Sequence, residues 1–192
     1  MFSDIQGKIF EMLKEKLPSY LHYHNYEHTL DVIEAAERIA KAENVSNEEL
    51  ALVKTAALFH DVGYIYSREN HEQKSCDVAR EMLSGNGINK DDIEKVCDLI
   101  LATRVPQIPN DKLSEIICDA DLDYLGRDDY FSISNNVYKE FKNFGIVKDE
   151  NDWKHVQVKF FESHRYFTKT SKDSRNKKKE ENLKKIKESL IT

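Results

Sequence analysis

Three features of the sequence predict an all-α protein. Apolar residues recur at three- and four-residue spacings along most of the chain, only three prolines and six glycines interrupt it, and nowhere is the alternation of a β-strand sustained. At 192 residues one domain is expected over the whole length. A helical core of that size can bury roughly 70 per cent of the surface its unfolded chain exposes.

Ser3 or Asp4 can cap a first helix that runs to about Leu17 with Ile5, Ile9, Phe10, Leu13 and Leu17 inward, and Pro18 ends it. The segment Tyr23-His24-Asn25-Tyr26-Glu27-His28-Thr29-Leu30 opens a second helix that continues to about Ala42. At 100° per residue His28 lines up with Val32, Ala35 and Ile39, whereas Asp31, Glu34 and Arg38 point away. His28 is thus an inward-facing imidazole.

Ser46 with Glu49 forms a capping box for a third helix over residues 47–60. Leu50, Ala51, Leu52, Val53, Ala56, Ala57, Leu58 and Phe59 cover nearly its whole circumference, which implies a buried, central helix. His60 and Asp61 arrive at its buried end, and Gly63 is expected to stop it in the left-handed conformation. A carboxylate brought into the interior costs on the order of 3 kcal/mol or more unless a cation or donor network compensates. A metal ion supplies that compensation, and the alternative is a helix C-terminus at which Asp61 is already solvated.

Residues 64–70 form a short aromatic and polar loop, placed as a rim or lid over Asp61 and carrying Arg68. The next helix begins near Asn70, where His71 falls in line with Ser75, Val78 and Met82 and points coreward. The helix after it, residues 90–104, presents Ile93, Val96, Cys97, Ile100 and Leu101 and ends in Thr103-Arg104. In Ile116-Ile117-Cys118-Asp119-Ala120-Asp121-Leu122-Asp123-Tyr124-Leu125-Gly126, three acids at spacing two cannot share one helical face. Asp121 lies beside the stripe of Leu113, Ile117 and Leu125, while Asp119 groups with Glu115 and Asp123 on the polar side.

The words "YHNYEHT", "AALFHDVGY", "NHEQKS" and "ICDADLDYLGR", with an isolated His, then His-Asp, then an Asp about sixty residues later, resemble the HD superfamily of metal-dependent phosphohydrolases. The resemblance covers residues 21–127. It implies an HD/PDEase-like helical bundle, a motif core at 21–127 with a helical extension at 128–192, and His28, His60, Asp61 and Asp121 as ligands of a divalent ion. Relatives with two metals use a His at the place of His71 and another near the end of the following helix. Here that helix has no His, so the expectation is one ion, with His71 as an acid or base or a substrate contact beside the catalytic Asp61. Mixed imidazole and carboxylate ligation leaves manganese, iron, cobalt, nickel, zinc and magnesium open. The resemblance also admits a di-iron oxygenase, and a metal-retaining pocket could instead sense a nucleotide for a partner protein.

A phosphorylated substrate needs cations, and Arg68, Arg104 and Arg127 are the expected contacts. Residues 128–144 form a further helix closed by Gly145. Residues 149–168 form another, whose stripe of Trp153, Val156, Phe160, His164 and Phe167 makes His164 either a packed histidine or the far wall of the pocket. The aromatic-rich region 130–167 could include an interface between copies of the chain. From Lys172 the chain turns basic, as a solvated amphipathic helix that could also bring Arg165, Arg175 or Lys178 towards an anion.

Lys plus Arg total 29 against 35 Asp plus Glu, a net charge of −6 that argues against general nucleic-acid binding. Three separated cysteines read as buried thiols in a reducing cytoplasm. No signal pattern, membrane-length apolar run, internal repeat or glycine-rich phosphate loop is visible.

Overall fold

The computed structural model describes residues 2–191; Met1 and Thr192, the two ends of the expected domain, lie outside the described residues. Among the described residues there are α-helices and two 3₁₀ turns, with no strand. The helices are α1 (Phe2–Lys16), α2 (Tyr26–Ala42), α3 (Asn47–Phe59), α4 (His71–Ser84), α5 (Lys90–Ala102), α6 (Lys112–Asp121), α7 (Tyr130–Asn143), α8 (Glu150–Ser163) and α9 (Lys169–Glu188). The 3₁₀ turns, Val62–Ile65 and Asp123–Gly126, follow the two segments that deliver His60-Asp61 and Asp121. No described helix is long and apolar enough to cross a membrane.

The central helix is built as its composition demands. Ser46 and Glu49 cap α3 reciprocally, α2, α5 and α6 pack around it, and Val53, Ala56, Ala57, Leu58 and Phe59 are fully buried. Only its first turns stay partly open, with Ala51 exposed. Cys76, Cys97 and Cys118 are buried free thiols.

Gly63 does not stop α3 in the left-handed region. It sits in the 3₁₀ turn because α4 crosses against its backbone: a Cβ there would lie 1.9 Å from the His71 carbonyl oxygen. Ser75 locks this crossing, accepting from the Gly63 N–H at 2.9 Å and donating to the His60 carbonyl at 2.7 Å, one of the orphan acceptors at the end of α3. The glycine therefore brings the His71 helix close to the His60-Asp61 corner.

A second apolar cluster joins Tyr23, Leu122, Tyr124, Leu125, Tyr130, Val137, Phe161 and Ile186, most of them from the chain after residue 121. It covers the face of α6 expected to meet water, so Asp119 and Asp123 are buried. Asp123 accepts from Arg38 and Arg175, and Asp119 accepts from the backbone N–H groups of Phe167 and Thr168. That second bond explains why one helix does not run through residue 168. The chain leaves α8 at His164 in extended backbone, buries Tyr166 with its hydroxyl donating to the Leu122 carbonyl, and restarts as α9 from the Thr168 cap.

Candidate metal centre and its cavity

Three elements converge on one point. His28 comes from the first turns of α2, where Asn25 caps the helix by accepting from the His28 N–H at 3.1 Å. His60 and Asp61 come from the end of α3 and Asp121 from the end of α6. His28 Nε2 and His60 Nε2 are 3.2 Å apart, and with an Asp121 oxygen they form a group whose ligand atoms lie within 4.8 Å of one another. Asp61 Oδ2 stands 3.2 Å from His60 Nε2 and 3.4 Å from His28 Nε2.

This donor set fits a divalent ion. His60 Nδ1 lies 2.8 Å from the Ala57 carbonyl, which fixes its proton there and leaves Nε2 as a lone pair aimed at the cluster. Asp61 Oδ2 is buried with no hydrogen-bond partner among the described residues, an orphan that a cation would satisfy. Gln107 Nε2 donates to Asp121 Oδ2 at 3.3 Å and orients that carboxylate from outside. As protein groups alone, the His28 and His60 imidazoles and the Asp61 carboxylate favour one another's charged forms. Burial opposes protonation of His28, but hydrogen bonds and charge from Asp121 and Asp61 outweigh it and push its pKa up to about 10. Burial also works against the Asp61 carboxylate, yet His60, His28 and His71 hold it well below the usual range.

Asp61 and Asp121 of this group line a cavity of about 480 Å³ beside the second apolar cluster, while His28 and His60 are buried outside its lining. His71 stands on its wall, half-buried, with Nε2 3.4 Å from Asp61 Oδ1 and Nδ1 3.0 Å from the Arg68 carbonyl. Arg68 lines the same wall, its guanidinium 4.9 Å from the centroid of the Phe144 ring. Arg104 lies at the edge: its neighbours Thr103 and Val105 line the cavity, while its own half-exposed side chain is 3.6 Å from Glu72. Thr103, at the end of α5, donates its hydroxyl to the Ile100 carbonyl.

Two expected contacts stand elsewhere. Arg127 is held by Asp31 at 2.6 and 2.8 Å and by Asp129 at 2.9 Å, outside the cavity lining. His164 belongs to an adjoining cleft of about 250 Å³, where burial and the Lys179 ammonium push its pKa down to about 3 and keep it neutral. The cations of the last helix are likewise engaged, Arg175 by Asp123 and Lys178 by Asp128 and Glu181, while Arg165 lies 5.7 Å from the Phe167 ring centroid in the same cleft as His164.

Tyr64, the first residue of the expected rim, lines the cavity, which also holds groups that the sequence reading passed over: His24, Glu72 and Glu140. His24 had a visible signal, since it precedes His28 by one helical turn. Glu140 had none, as a lone acid on a helix beyond the motif looks like any solvated charge.

The sequence model of the HD domain family matches residues 25–123. A crystal structure described as a predicted HD superfamily hydrolase, from an uncultured Thermotogales bacterium, is 20% identical over 96% of this chain and 88% of its own, with a TM-score of 0.61. Bacillus subtilis YpgQ, solved in complex with ADP, is 21% identical over 95% of this chain and 94% of its own, with a TM-score of 0.63. The likeness to these two structures is one of fold, and it reaches well past residue 123. A comparison with curated proteins finds no match.

Proposed function

The chain belongs to the HD domain family of metal-dependent hydrolases, and from that premise we propose that it is a phosphohydrolase cleaving a phosphate ester of a nucleotide or related small molecule. The observation that carries this reading is the convergence of two imidazoles and two carboxylates at one point, with both carboxylates lining a cavity large enough for such a molecule. His28, His60, Asp61 and Asp121 would hold one divalent ion. When bound, the ion supplies Lewis acidity at phosphorus and lowers the pKa of water from 15.7 towards about 7.

The protein's own groups divide the remaining work. Asp61 Oδ1, beside His71 Nε2, orients the attacking water and takes its proton together with that imidazole. Arg68 meets the phosphate charge from the wall, with Arg104 near enough to assist. Tyr64, Phe141 and Phe144 offer aromatic faces against which a base can pack. The ADP bound by YpgQ supports a nucleotide as the first substrate to try.

The test is a screen of nucleoside mono-, di- and triphosphates and sugar phosphates with Mn²⁺ restored. Release of phosphate or pyrophosphate that disappears in Asp61→Asn is expected. No release from any of them would contradict the reading.

A further inference from the structure

We propose that the cleft beside the cavity is the subsite that reads the edge of the substrate's base, with His164 as its hydrogen-bond donor and Gln107 as its acceptor; the proposal rests on the phosphohydrolase reading above. Val105, Leu122 and Phe160 line both the cavity and the cleft, and at Val105, 57% exposed, their common boundary reaches the surface. At about 250 Å³ the cleft falls below the roughly 300 Å³ at which pockets take drug-sized ligands, so it suits one heterocycle rather than a whole nucleotide.

Two buried polar atoms of its lining residues, His164 Nε2 and Gln107 Oε1, have no hydrogen-bond partner among the described residues. What each group does at its other end fixes its character. Lys179 Nζ, which can only donate, stands 3.1 Å from His164 Nδ1. Nδ1 is thus the acceptor, and the neutral ring carries its proton on Nε2. Gln107 Nε2 donates to the Cys118 carbonyl and to Asp121 Oδ2, both at 3.3 Å, so the amide cannot be reversed without losing both bonds. Its oxygen is the end left over. The cleft therefore offers one buried N–H donor and one buried carbonyl acceptor, each costly to bury without a partner.

That pair selects the chemistry of the ligand. An ionised carboxylate or phosphate brings chiefly acceptors, and the Gln107 oxygen would repel it. A nucleobase brings a donor and an acceptor side by side on one edge: N6–H and N1 in adenine, N1–H and O6 in guanine, with counterparts in the pyrimidines. Either order leaves one acceptor for His164 and one donor for Gln107, so the subsite requires such an edge and tolerates all the standard bases. Phe160, whose ring lies 22° from the His164 plane with centroids 6.1 Å apart, and Phe167 supply apolar surface beside it. Gln107 also joins base to metal centre, since the amide that faces the base with its oxygen holds Asp121 with its nitrogen.

The experiment compares three nucleotides that differ only in the base edge, with Mn²⁺ restored: the 5′-phosphates of adenosine, 1-deazaadenosine and purine riboside, at the phosphate length that the nucleotide screen finds turned over. The 1-deaza base lacks the N1 acceptor, and purine lacks the N6–H donor. In the wild type, kcat/KM should be lower by about tenfold or more for either analogue than for the adenine nucleotide, because each leaves one buried group unpaired. His164→Phe keeps an aromatic ring and loses the donor. It should bring the adenine and 1-deaza nucleotides within about twofold of each other, while the preference over the purine nucleotide persists. Equal kcat/KM for all three in the wild type, or a His164→Phe protein that loses the same factor on each, would overturn the subsite and leave the phosphohydrolase reading standing. So would hydrolysis of sugar phosphates with no adenine nucleotide turned over. No hydrolysis of any compound in the screen would overturn both.

Discussion

Asp119 is fastened to Thr168: its Oδ2 accepts from the Thr168 N–H at 2.8 Å and from the Thr168 hydroxyl at 2.7 Å, while Oδ1 accepts from the Phe167 N–H at 2.8 Å. The acid that looked solvent-facing is the clamp by which the last third of the chain is tied to α6, two residues before Asp121. Asp119→Ala leaves three donors, two of them buried, without their acceptor and should lower stability by about 2 kcal/mol, read as a fall in the urea midpoint. It should also weaken metal retention, since the end of α6 loses its brace. An unchanged midpoint would show that the clamp is dispensable.

The arginines separate by position. Arg68 lines the cavity, so Arg68→Ala should raise KM for an anionic substrate about tenfold with kcat little changed. Arg127 ties Asp31 to Asp129, so Arg127→Ala should leave KM alone and lower stability by about 1 kcal/mol. Steady-state kinetics with thermal melting checks both. A KM effect in Arg127→Ala would place that residue at the substrate after all.

His164 makes stability depend on pH. Burial, then the Lys179 charge, push its folded pKa down to about 3 from an ordinary value of 6.5, so below pH 6.5 the unfolded chain binds a proton that the folded chain refuses. The contribution is complete above pH 6.5 and lost as pH falls towards 3, by about 1.4 kcal/mol per unit. Between pH 7.5 and 5.5 the wild type should lose on the order of 1 kcal/mol more than His164→Gln, measured by urea unfolding of both proteins at each pH. Equal losses would mean that the imidazole protonates in place.

What could be read in advance, and what could not, follows from the range of the interactions. The helices declared themselves through local rules: the Ser46 and Glu49 box, the apolar circumference of α3, and the shared face of His28, Val32, Ala35 and Ile39. The meeting of His28, His60, Asp61 and Asp121 was legible for the same reason, because helical faces and a resemblance both pointed to them. Gly63 was misjudged because its role is a close approach by a helix that starts eight residues later in the chain. The helix expected over 149–168 failed because Asp119 competes for the backbone at 167 and 168, across nearly fifty residues. Arg127 and His164 look much like Arg68 and His71 in one dimension. Only the positions of Asp31 and Lys179 tell them apart.

The most direct measurement is the metal content of the purified wild type and of Asp61→Ala, taken beside phosphate release by each with the same ion added. The account predicts one divalent ion per wild-type chain and turnover with it. Asp61→Ala should hold almost none and be inactive, with its helical circular dichroism intact. Two irons per chain without phosphate release, or full metal and turnover in Asp61→Ala, would contradict it.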